Sequence, residues 1–305
     1  MINMQIGKSR VNIGNAQPRE VEFFDNPNSA GGVETLALST LREQAPPGEF
    51  RSPQRPQFFI LLYIDSGALD QLVDFHRIEL RPASLLLIHP GQLVLWGDLN
   101  AAEGHCVLFK PDALSPQLAA SLPSPYENNH WRLGSALAQA FSCQFELLES
   151  YPTARRGDQL RAALLHHQLS AMLLHLNLSS SPTASDSTPG YQHHKRFRAT
   201  LEANFDRHRD VAWYAKELGV SLRTLRNACQ EATSMSPKQI IDLRVHLEAK
   251  RYLTHSEVSV LELSRILHFR DGSNFSSFFK QLEGLSPRDF RRQQRLSVLL
   301  RQNAP

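Results

Sequence analysis

Ala228–Pro237 reads ACQEATSMSP, and a related phrase, FFKQLEGLSP, returns fifty positions later at Phe278–Pro287. Upstream of each phrase lies a second helical pattern of apolar residues, which starts at Val211 in the first copy and at Val260 in the second. Each copy therefore holds two short helices. A repeat of this kind predicts a tandem helix-turn-helix, in which each copy has a supporting helix followed by a recognition helix.

In the first copy, the supporting helix is expected to end at Gly219, because the left-handed cap that closes many helices favours glycine. Ser221 then stands where its side-chain oxygen can accept hydrogen bonds from free backbone N–H groups of the recognition helix. The inward face of that helix carries Leu225, Ala228 and Cys229. Its outer side holds groups that bind base edges and phosphates. The predicted DNA-contacting residues are Ser221, Arg223, Thr224, Arg226, Asn227 and Gln230.

The second copy repeats the pattern with a turn that is one residue longer, Phe269–Ser273. The residues expected to point inward are Phe275, Phe278 and Phe279. The predicted DNA-contacting residues are Gly272, Ser273, Asn274, Ser276, Ser277 and Lys280. Because this set has no arginine, we expect the first copy to discriminate bases and the second to contact mainly the backbone. A helix predicted over Pro237–Leu253, about 26 Å long, suits two recognition helices in successive major grooves, roughly 34 Å apart.

The charge of the chain is uneven along its 305 residues. Residues 1–190 hold 13 Lys and Arg against 18 Asp and Glu, a net charge of −5, whereas residues 191–305 hold 20 against 12, a net charge of +8. The basic C-terminal part makes double-stranded DNA the leading partner. The three cysteines are expected to be buried free thiols. We find no signal-peptide pattern and no apolar run of about 20 residues, and we expect a soluble, cytoplasmic protein without a membrane partner.

A segment without bulky apolar residues, SSSPTASDSTPG, predicts a flexible linker over 179–190. It separates a domain over 1–178 from an all-α tandem helix-turn-helix domain over 191–305. In the first domain, short apolar runs cut by glycine and proline predict an antiparallel β-barrel over about 20–115. Helical periodicity then predicts helices over about 130–178. The predicted fold class is therefore α+β in two domains.

The last helix of the first domain, over 155–178, carries apolar residues on two stripes. One stripe can pack on the barrel, and the other needs a partner. A second copy of the same helix, in a two-fold homodimer, is the economical partner. The predicted dimerisation residues are Leu165, Leu169, Met172, Leu173 and Leu176. The sequence leaves open the alternative that the helix is buried within its own domain.

A barrel of this size can enclose one small molecule. The candidate pocket residues are Arg55, Tyr63, His89 and Trp96. Three histidines, His76, His89 and His105, raise the question of a metal, but none belongs to a His-x-His pair, so we expect no metal or other cofactor. The sequence also lacks a Ser-His-Asp set, a phosphate-binding glycine loop and a paired-carboxylate motif. No catalytic residue is therefore predicted, and we do not expect an enzyme.

Residues 211–292 resemble the C-terminal domain of the AraC/XylS family of bacterial transcription regulators. The positions that carry the resemblance are Leu218–Ser221, Ser236-Pro237, Arg244, Leu247, Ala249, Leu253, Phe269, Phe275, Phe279-Lys280 and Gly284–Pro287. Three positions depart from the family pattern. Cys229 stands where phenylalanine is usual, and Ser234 and His268 stand where glycine is usual.

In the first domain, a looser resemblance to the cupin-like barrel of the same family is carried by Arg55–Phe58, Gly67, Asp74-Phe75, Leu80–Ile88 and Pro90–Gln92. The resemblance of residues 211–292 implies a seven-helix domain that reads an asymmetric DNA site in two successive major grooves. It also implies a small-molecule effector in the barrel and, for an activator, RNA polymerase as a partner. Two alternatives stay open: an effector-independent regulator whose first domain only dimerises or binds a protein, and a metal-dependent cupin enzyme fused to a DNA-binding domain.

Overall fold

The computed structural model describes residues 19–24, 29–46, 48–123, 125, 129–150, 159–179 and 189–302. Internal contacts divide the chain into two compact units, Met1–Ser179 and Ser180–Pro305. Most of the predicted linker lies outside the described residues, but a helix ends at Ser179 and the next begins at Pro189, so helical structure reaches into both of its ends. The predicted two-domain α+β fold class is confirmed.

The first unit contains two β-sheets. Its described strands are β1 (Arg19–Val21), β2 (Ser29–Ala30), β3 (Val33–Ala37), β4 (Gln54–Pro56), β5 (Phe59–Gly67), β6 (Leu69–Val73), β7 (His76–Leu80), β8 (Ser84–Ile88), β9 (Val94–Leu95), β10 (Ala102–Phe109) and β11 (His130–Arg132). The smaller sheet has the order β1-β4-β9-β6-β7 and the larger one β11-β8-β5-β10-β3-β2. In the described part of the chain these sheets face each other without closing into one ring. The predicted barrel is thus an open pair of sheets, an arrangement compatible with a cupin-like jelly roll.

The larger sheet is buried on both of its faces. One face packs against the smaller sheet through aliphatic side chains such as Leu62, Ile64 and Leu86. The other face, which includes Tyr63 and Phe109, packs against helices. Double burial explains why β5 is apolar at successive positions rather than at alternate ones.

Four helices belong to the first unit: α1 (Leu38–Gln44), α2 (Pro116–Ser121), α3 (Ser135–Ser150) and α4 (Gln159–Ser179). The predicted dimerisation residues of α4 lie in the core between the helices and the larger sheet; they are Leu165, Leu169, Met172, Leu173 and Leu176. Each is at most 3% exposed, so this stripe is not available to a second copy. The stripe that the sequence assigned to a partner is buried within its own domain, whereas the opposite stripe of α4 faces outward.

Seven described helices form the second unit: α5 (Pro189–Asn204), α6 (Val211–Leu218), α7 (Leu222–Thr233), α8 (Pro237–His255), α9 (Val260–Ile266), α10 (Gly272–Glu283) and α11 (Pro287–Gln302). The long helix α8 begins with a capping box between Ser236 and Gln239. It is joined to α5 by a partly buried ion pair in which Arg244 Nε donates to Glu202 Oε2 at 2.9 Å. Glu248, one turn further along α8, accepts from Arg244 as well, at 3.1 Å.

Candidate nucleic-acid interface

The first helix-turn-helix, α6 and α7, has a cap on each side of its turn. Gly219 ends α6 in the left-handed conformation with φ 67°, and the Val220 N–H donates to the Ala215 carbonyl at 3.0 Å. Ser221 Oγ accepts a hydrogen bond from the Thr224 backbone N–H, also at 3.0 Å. These bonds satisfy backbone groups that the helix ends leave without intrahelical partners. Both predicted caps are confirmed.

The two faces of α7 differ sharply in burial. Its inward residues, each at most 1% exposed, are Leu225, Ala228 and Cys229. The exposed residues on its other side are Ser221, Arg223, Arg226, Asn227 and Gln230. Thr224 is half-buried, and its hydroxyl lies 2.8 Å from Ser221 Oγ, so its side chain serves the cap. The exposed set combines two guanidinium and two amide groups, which are the side chains best suited to read guanine and adenine edges.

The second helix-turn-helix, α9 and α10, uses a different cap from the first. Asp271, and not a serine, stands at the N-terminus of α10, and its Oδ1 accepts from the Asn274 N–H at 2.7 Å. The Asn274 side-chain amide donates to Asp271 Oδ2 at 2.9 Å. The Ser276 hydroxyl donates to the Gly272 carbonyl of its own helix at 2.7 Å. Two of the predicted DNA-contacting side chains are therefore engaged within α10, and a third position, Gly272, has no side chain.

Four of the predicted DNA-contacting residues of α10 are exposed: Ser273, Asn274, Ser277 and Lys280. Because the Asn274 amide is bound to Asp271, the groups that remain to face DNA are those of Ser273, Ser277 and Lys280. Phe275 and Phe279 are fully buried as predicted, whereas Phe278 is only half-buried. Two short hydroxyl groups and one ammonium group are suited to phosphate contact more than to base discrimination. The imbalance between the two recognition helices is therefore larger than the sequence alone indicates.

Helix α8 carries contacts to the second recognition helix. Its 19 residues span about 29 Å. Near its middle, His246 Nε2 and Lys250 Nζ lie 2.9 Å and 3.2 Å from Glu283 Oε2, at the end of α10. Burial lowers the pKa of His246, although Glu283 acts in the opposite direction. The cluster attaches the C-terminal end of α10 to α8.

The four predicted pocket residues of the first unit do not share one site. Trp96 alone belongs to the core between the two sheets. Tyr63 lies on the helix-covered face, where its hydroxyl donates to the Ala138 carbonyl at 3.2 Å. His89 pairs with Asn129 Oδ1 at 3.2 Å, and Arg55 Nε donates to the Gly91 carbonyl at 2.9 Å. Tyr63 and Trp96 therefore lie on different faces of the larger sheet, a difference that the sequence of a strand buried on both faces does not reveal.

Three buried polar residues of the first unit, Glu49, Gln54 and Gln71, were missed by the sequence reasoning. Trp96 Nε1 donates to Gln54 Oε1 at 2.9 Å, and Gln54 Nε2 donates to Glu49 Oε1 at 2.9 Å. Gln71 is fully buried between the inward positions of Leu69 and Val73. Its amide donates to the Leu95 carbonyl at 3.2 Å, but its Oε1 accepts no hydrogen bond from the described residues. A polar residue at the inward phase of an alternating strand was the available signal.

The three histidines considered as metal ligands lie in different environments and do not form one cluster. His76 is exposed on β7, and His89 contacts Asn129. His105 lies between two carboxylates, with Nδ1 2.7 Å from Glu149 Oε1 and Nε2 3.0 Å from Asp65 Oδ2. Among the residues that the structure describes, no group of three or more His, Cys, Asp or Glu side chains is placed to hold a metal ion. In the same part of the chain, every helix is too short or too polar to span a bilayer.

Comparison with known families matches both units. A family model of the helix-turn-helix domain matches residues 214–293, and a model of the AraC-like ligand binding domain matches residues 37–170. With the two capped recognition helices, these matches define the class: DNA-binding regulators that carry an effector domain ahead of a tandem helix-turn-helix. The chain belongs to the AraC/XylS family of transcription regulators.

Individual relatives are distant. The HTH-type transcriptional activator RhaS of Salmonella schwarzengrund (strain CVM19633) is 28% identical over 201 residues, which cover 65% of this chain and 67% of that protein. The RhaS protein of Salmonella typhi has the same identity and coverage. Among solved structures, ToxT from Vibrio cholerae O395 aligns with a TM-score of 0.42 and 13% identity, over 79% of this chain and 90% of that chain.

Proposed function

We propose that the protein is a sequence-specific transcription activator that reads an asymmetric DNA site with α7 and α10 in successive major grooves. The observation that carries this proposal is the exposed row of Arg223, Arg226 and Asn227 on a capped recognition helix. Bidentate arginine and amide contacts to base edges are the commonest source of direct readout. On α10 the exposed Ser273, Ser277 and Lys280 act chiefly on the phosphate backbone.

The effector is a small molecule that binds between the two sheets, beside Trp96, Gln54 and Gln71. These residues supply an aromatic surface and several hydrogen-bonding groups in an otherwise apolar core, the usual make-up of a small-molecule site. The buried Gln71 Oε1 favours an effector with an N–H or O–H donor, since an unmade hydrogen bond there is costly. No chemistry of the described residues supports catalysis. As an activator, the protein is proposed to contact RNA polymerase and to act in the cytoplasm.

A homodimer is part of the same proposal, through the outward stripe of α4. That stripe exposes Leu160, Leu174 and Leu178, which are 84%, 51% and 77% exposed. Leu160 and Leu174 are separated by two heptads, and Leu164, Ala171 and Leu178 follow each other at seven-residue spacing. Two such rows form the seam of a coiled coil, for which a second copy of α4 is the self-complementary partner.

The experiment that tests the proposal is selection of binding sites from random duplex DNA by the full-length protein, followed by footprinting. We expect an asymmetric consensus with a strongly specified segment and a weakly specified one, about 10 base pairs apart. The salt dependence of binding should be steep because many phosphates are contacted. Repeating the footprint in the presence of small molecules that carry N–H or O–H donors tests whether an effector of this chemistry changes DNA binding. A symmetric consensus, or no enrichment of any sequence, would contradict the proposed reading mode.

A further inference from the structure

Arg209 lies in the connection between α5 and α6, ahead of the first helix-turn-helix, yet its side chain contacts the second one. Its guanidinium carbon lies 3.7 Å from the centroid of the Phe269 ring and 4.9 Å from that of Phe278. Phe269 belongs to the turn between α9 and α10, and Phe278 lies on α10 itself. The arginine therefore reaches from the first reading unit to the turn and recognition helix of the second.

Aromatic rings and an acidic side chain surround the Arg209 guanidinium and hold it against the Phe269 ring. The Phe269 ring is 9% exposed and is packed against Phe275 and Phe278, with centroid separations of 5.2 Å and 5.0 Å. On its α8 side, an Arg209 Nη2 nitrogen lies 3.8 Å from Asp242 Oδ1. Arg209 Nε is buried and makes no hydrogen bond to the described residues. The cation–π contact with Phe269 and the charge of Asp242 hold the side chain. The planar guanidinium of arginine suits a contact with a ring face better than the ammonium group of lysine does.

Helix α8 also connects the two helix-turn-helix motifs, because it follows α7 directly and contacts α10 through Glu283. A connection through α8 alone would leave the rotation between the two recognition helices weakly restrained. Arg209 adds an attachment away from the axis of α8. This orientation matters for DNA, because each base pair turns the groove by about 34°. A small change in the angle between α7 and α10 changes the spacing of the two DNA segments that they fit together.

We propose that Arg209 is a positioning residue that fixes the orientation of α10 relative to α7 and thereby sets the spacing of the two DNA segments that the protein accepts. The inference rests on the proposed function, since it assumes that both recognition helices bind DNA. Arg209 itself need not contact DNA. Its effect on binding is therefore expected to depend on both DNA segments being present, whereas a simple charge effect would not depend on them.

The test uses the full-length protein and the duplex selected by it. Two further duplexes have one base pair inserted or removed between the DNA segment proposed to bind α7 and the segment proposed to bind α10. In a third duplex, the sequence of the α10 segment is scrambled. The variants are Arg209→Ala, Arg209→Lys, and Arg207→Ala as the control. Arg207 is in the same connection, carries the same charge, is 70% exposed at its side chain and pairs with Asp206 at 3.8 Å. Thermal melting and circular dichroism accompany each binding measurement, and Arg209→Lys retains the charge if the alanine variant folds poorly.

We expect Arg209→Ala to bind the selected duplex about tenfold more weakly, the loss of one desolvated cation–π contact. It should bind the scrambled duplex as well as the wild type does, and its preference for the selected spacing should shrink several-fold. Arg209→Lys should show the same loss of spacing preference, and Arg207→Ala should keep the wild-type preference. If Arg209→Ala retains that preference, or weakens binding to the scrambled duplex equally, the inference is overturned. If the wild type itself does not distinguish the scrambled from the intact duplex, the proposed two-groove reading fails first, and the inference fails with it.

Discussion

We expect base discrimination to depend most on Arg223 and Arg226. They are separated by three positions on the exposed side of α7, so their side chains lie on neighbouring parts of one helix face. We expect Arg226→Ala to weaken binding to the selected duplex by about 10- to 100-fold, because a bidentate arginine contact to guanine contributes about 1–3 kcal/mol. The melting temperature should not change, since the side chain is exposed. Equilibrium binding to selected and scrambled duplexes measures the effect.

A matched control separates base contact from general charge. Arg292 on α11 is also exposed, with a side chain that is 75% accessible and pairs with Asp289 at 2.8 Å. Arg292→Ala should change affinity for both duplexes by a similar, small factor. Equal losses on both duplexes for Arg226→Ala would instead assign Arg226 to the phosphate backbone.

The three cysteines differ in their expected reactivity. Cys106 and Cys229 are fully buried, whereas Cys143 is exposed on α3. Burial raises the pKa of Cys229 to about 12, although the nearby Arg198 charge acts in the opposite direction. Burial also raises the pKa of Cys106, and Glu34 and Glu149 add to the rise. Because the thiolate is the reactive species, a disulfide reagent should modify one thiol in the native protein and three after denaturation. Rapid native modification of two thiols would contradict this burial.

At the scale of single elements, His105 joins β10 to α3 and β5 through both of its ring nitrogens. Its ring also stacks on Phe145 with centroids 5.1 Å apart. A neutral imidazole has one N–H, so only the protonated ring can donate to both Glu149 and Asp65. Burial lowers the pKa of His105, but the hydrogen bond and charge of Glu149, with the charges of Asp65 and Glu146, outweigh it and raise the pKa above its usual value.

The raised pKa of His105 makes a prediction for stability against pH. The contribution of this contact is complete below the unfolded pKa, about 6.5, and is lost as pH rises through the higher folded pKa. His105→Gln should therefore destabilise the protein by about 1–3 kcal/mol at pH 6, where two charge-assisted bonds are lost. The difference should shrink by pH 9. Thermal unfolding of the full chain and of the variant at both pH values measures it, and a difference that grows with pH would refute the assignment.

Local signals in the sequence predicted the elements of the second unit closely. The Gly219 and Ser221 caps and the inward face of α7 needed only neighbouring residues. The turn before α10 was predicted to run to Ser273, but α10 begins at Gly272, because the carboxylate of Asp271 caps the helix start and binds Asn274. In β5, successive apolar residues gave no alternation, so the face of Tyr63 could not be predicted.

At the scale of the whole chain, contacts between distant residues escaped prediction. Arg244 and Glu202 are 42 positions apart, and nothing local marks them as partners. Arg209 and the Phe269 ring are likewise joined only by the packing of the second unit. Composition predicted the basic, DNA-binding half because charge is additive along a chain. Contacts between side chains that are distant in sequence depend on tertiary structure and cannot be summed along the chain in this way. Tertiary structure also determines which stripe of α4 is buried.

The stripe of α4 predicted to form the dimer is buried, and the opposite stripe is exposed. Substitutions at two adjacent positions of α4 therefore test which stripe forms a dimer. Leu173 is fully buried, whereas Leu174 is 51% exposed on the seam proposed for the dimer. We expect wild-type protein to be dimeric at micromolar concentration. Leu174→Glu should give a monomer with an unchanged melting temperature, because a charge in a coiled-coil seam opposes association without entering the core. Leu173→Glu should unfold the first unit, since it buries an unpaired carboxylate.

Leu243→Glu, at a leucine of α8 that is 46% exposed, is the matched control and should remain dimeric. Sedimentation velocity with thermal melting distinguishes these outcomes. A monomeric wild type, or a Leu174→Glu variant that stays dimeric, would remove the α4 seam from the proposal, whereas the DNA reading by α7 and α10 would stand independently. If Leu173→Glu instead dissociated a folded dimer, the stripe inferred from the sequence would be the interface. Because the two positions are adjacent on one helix, a difference between them reports the face of α4 alone.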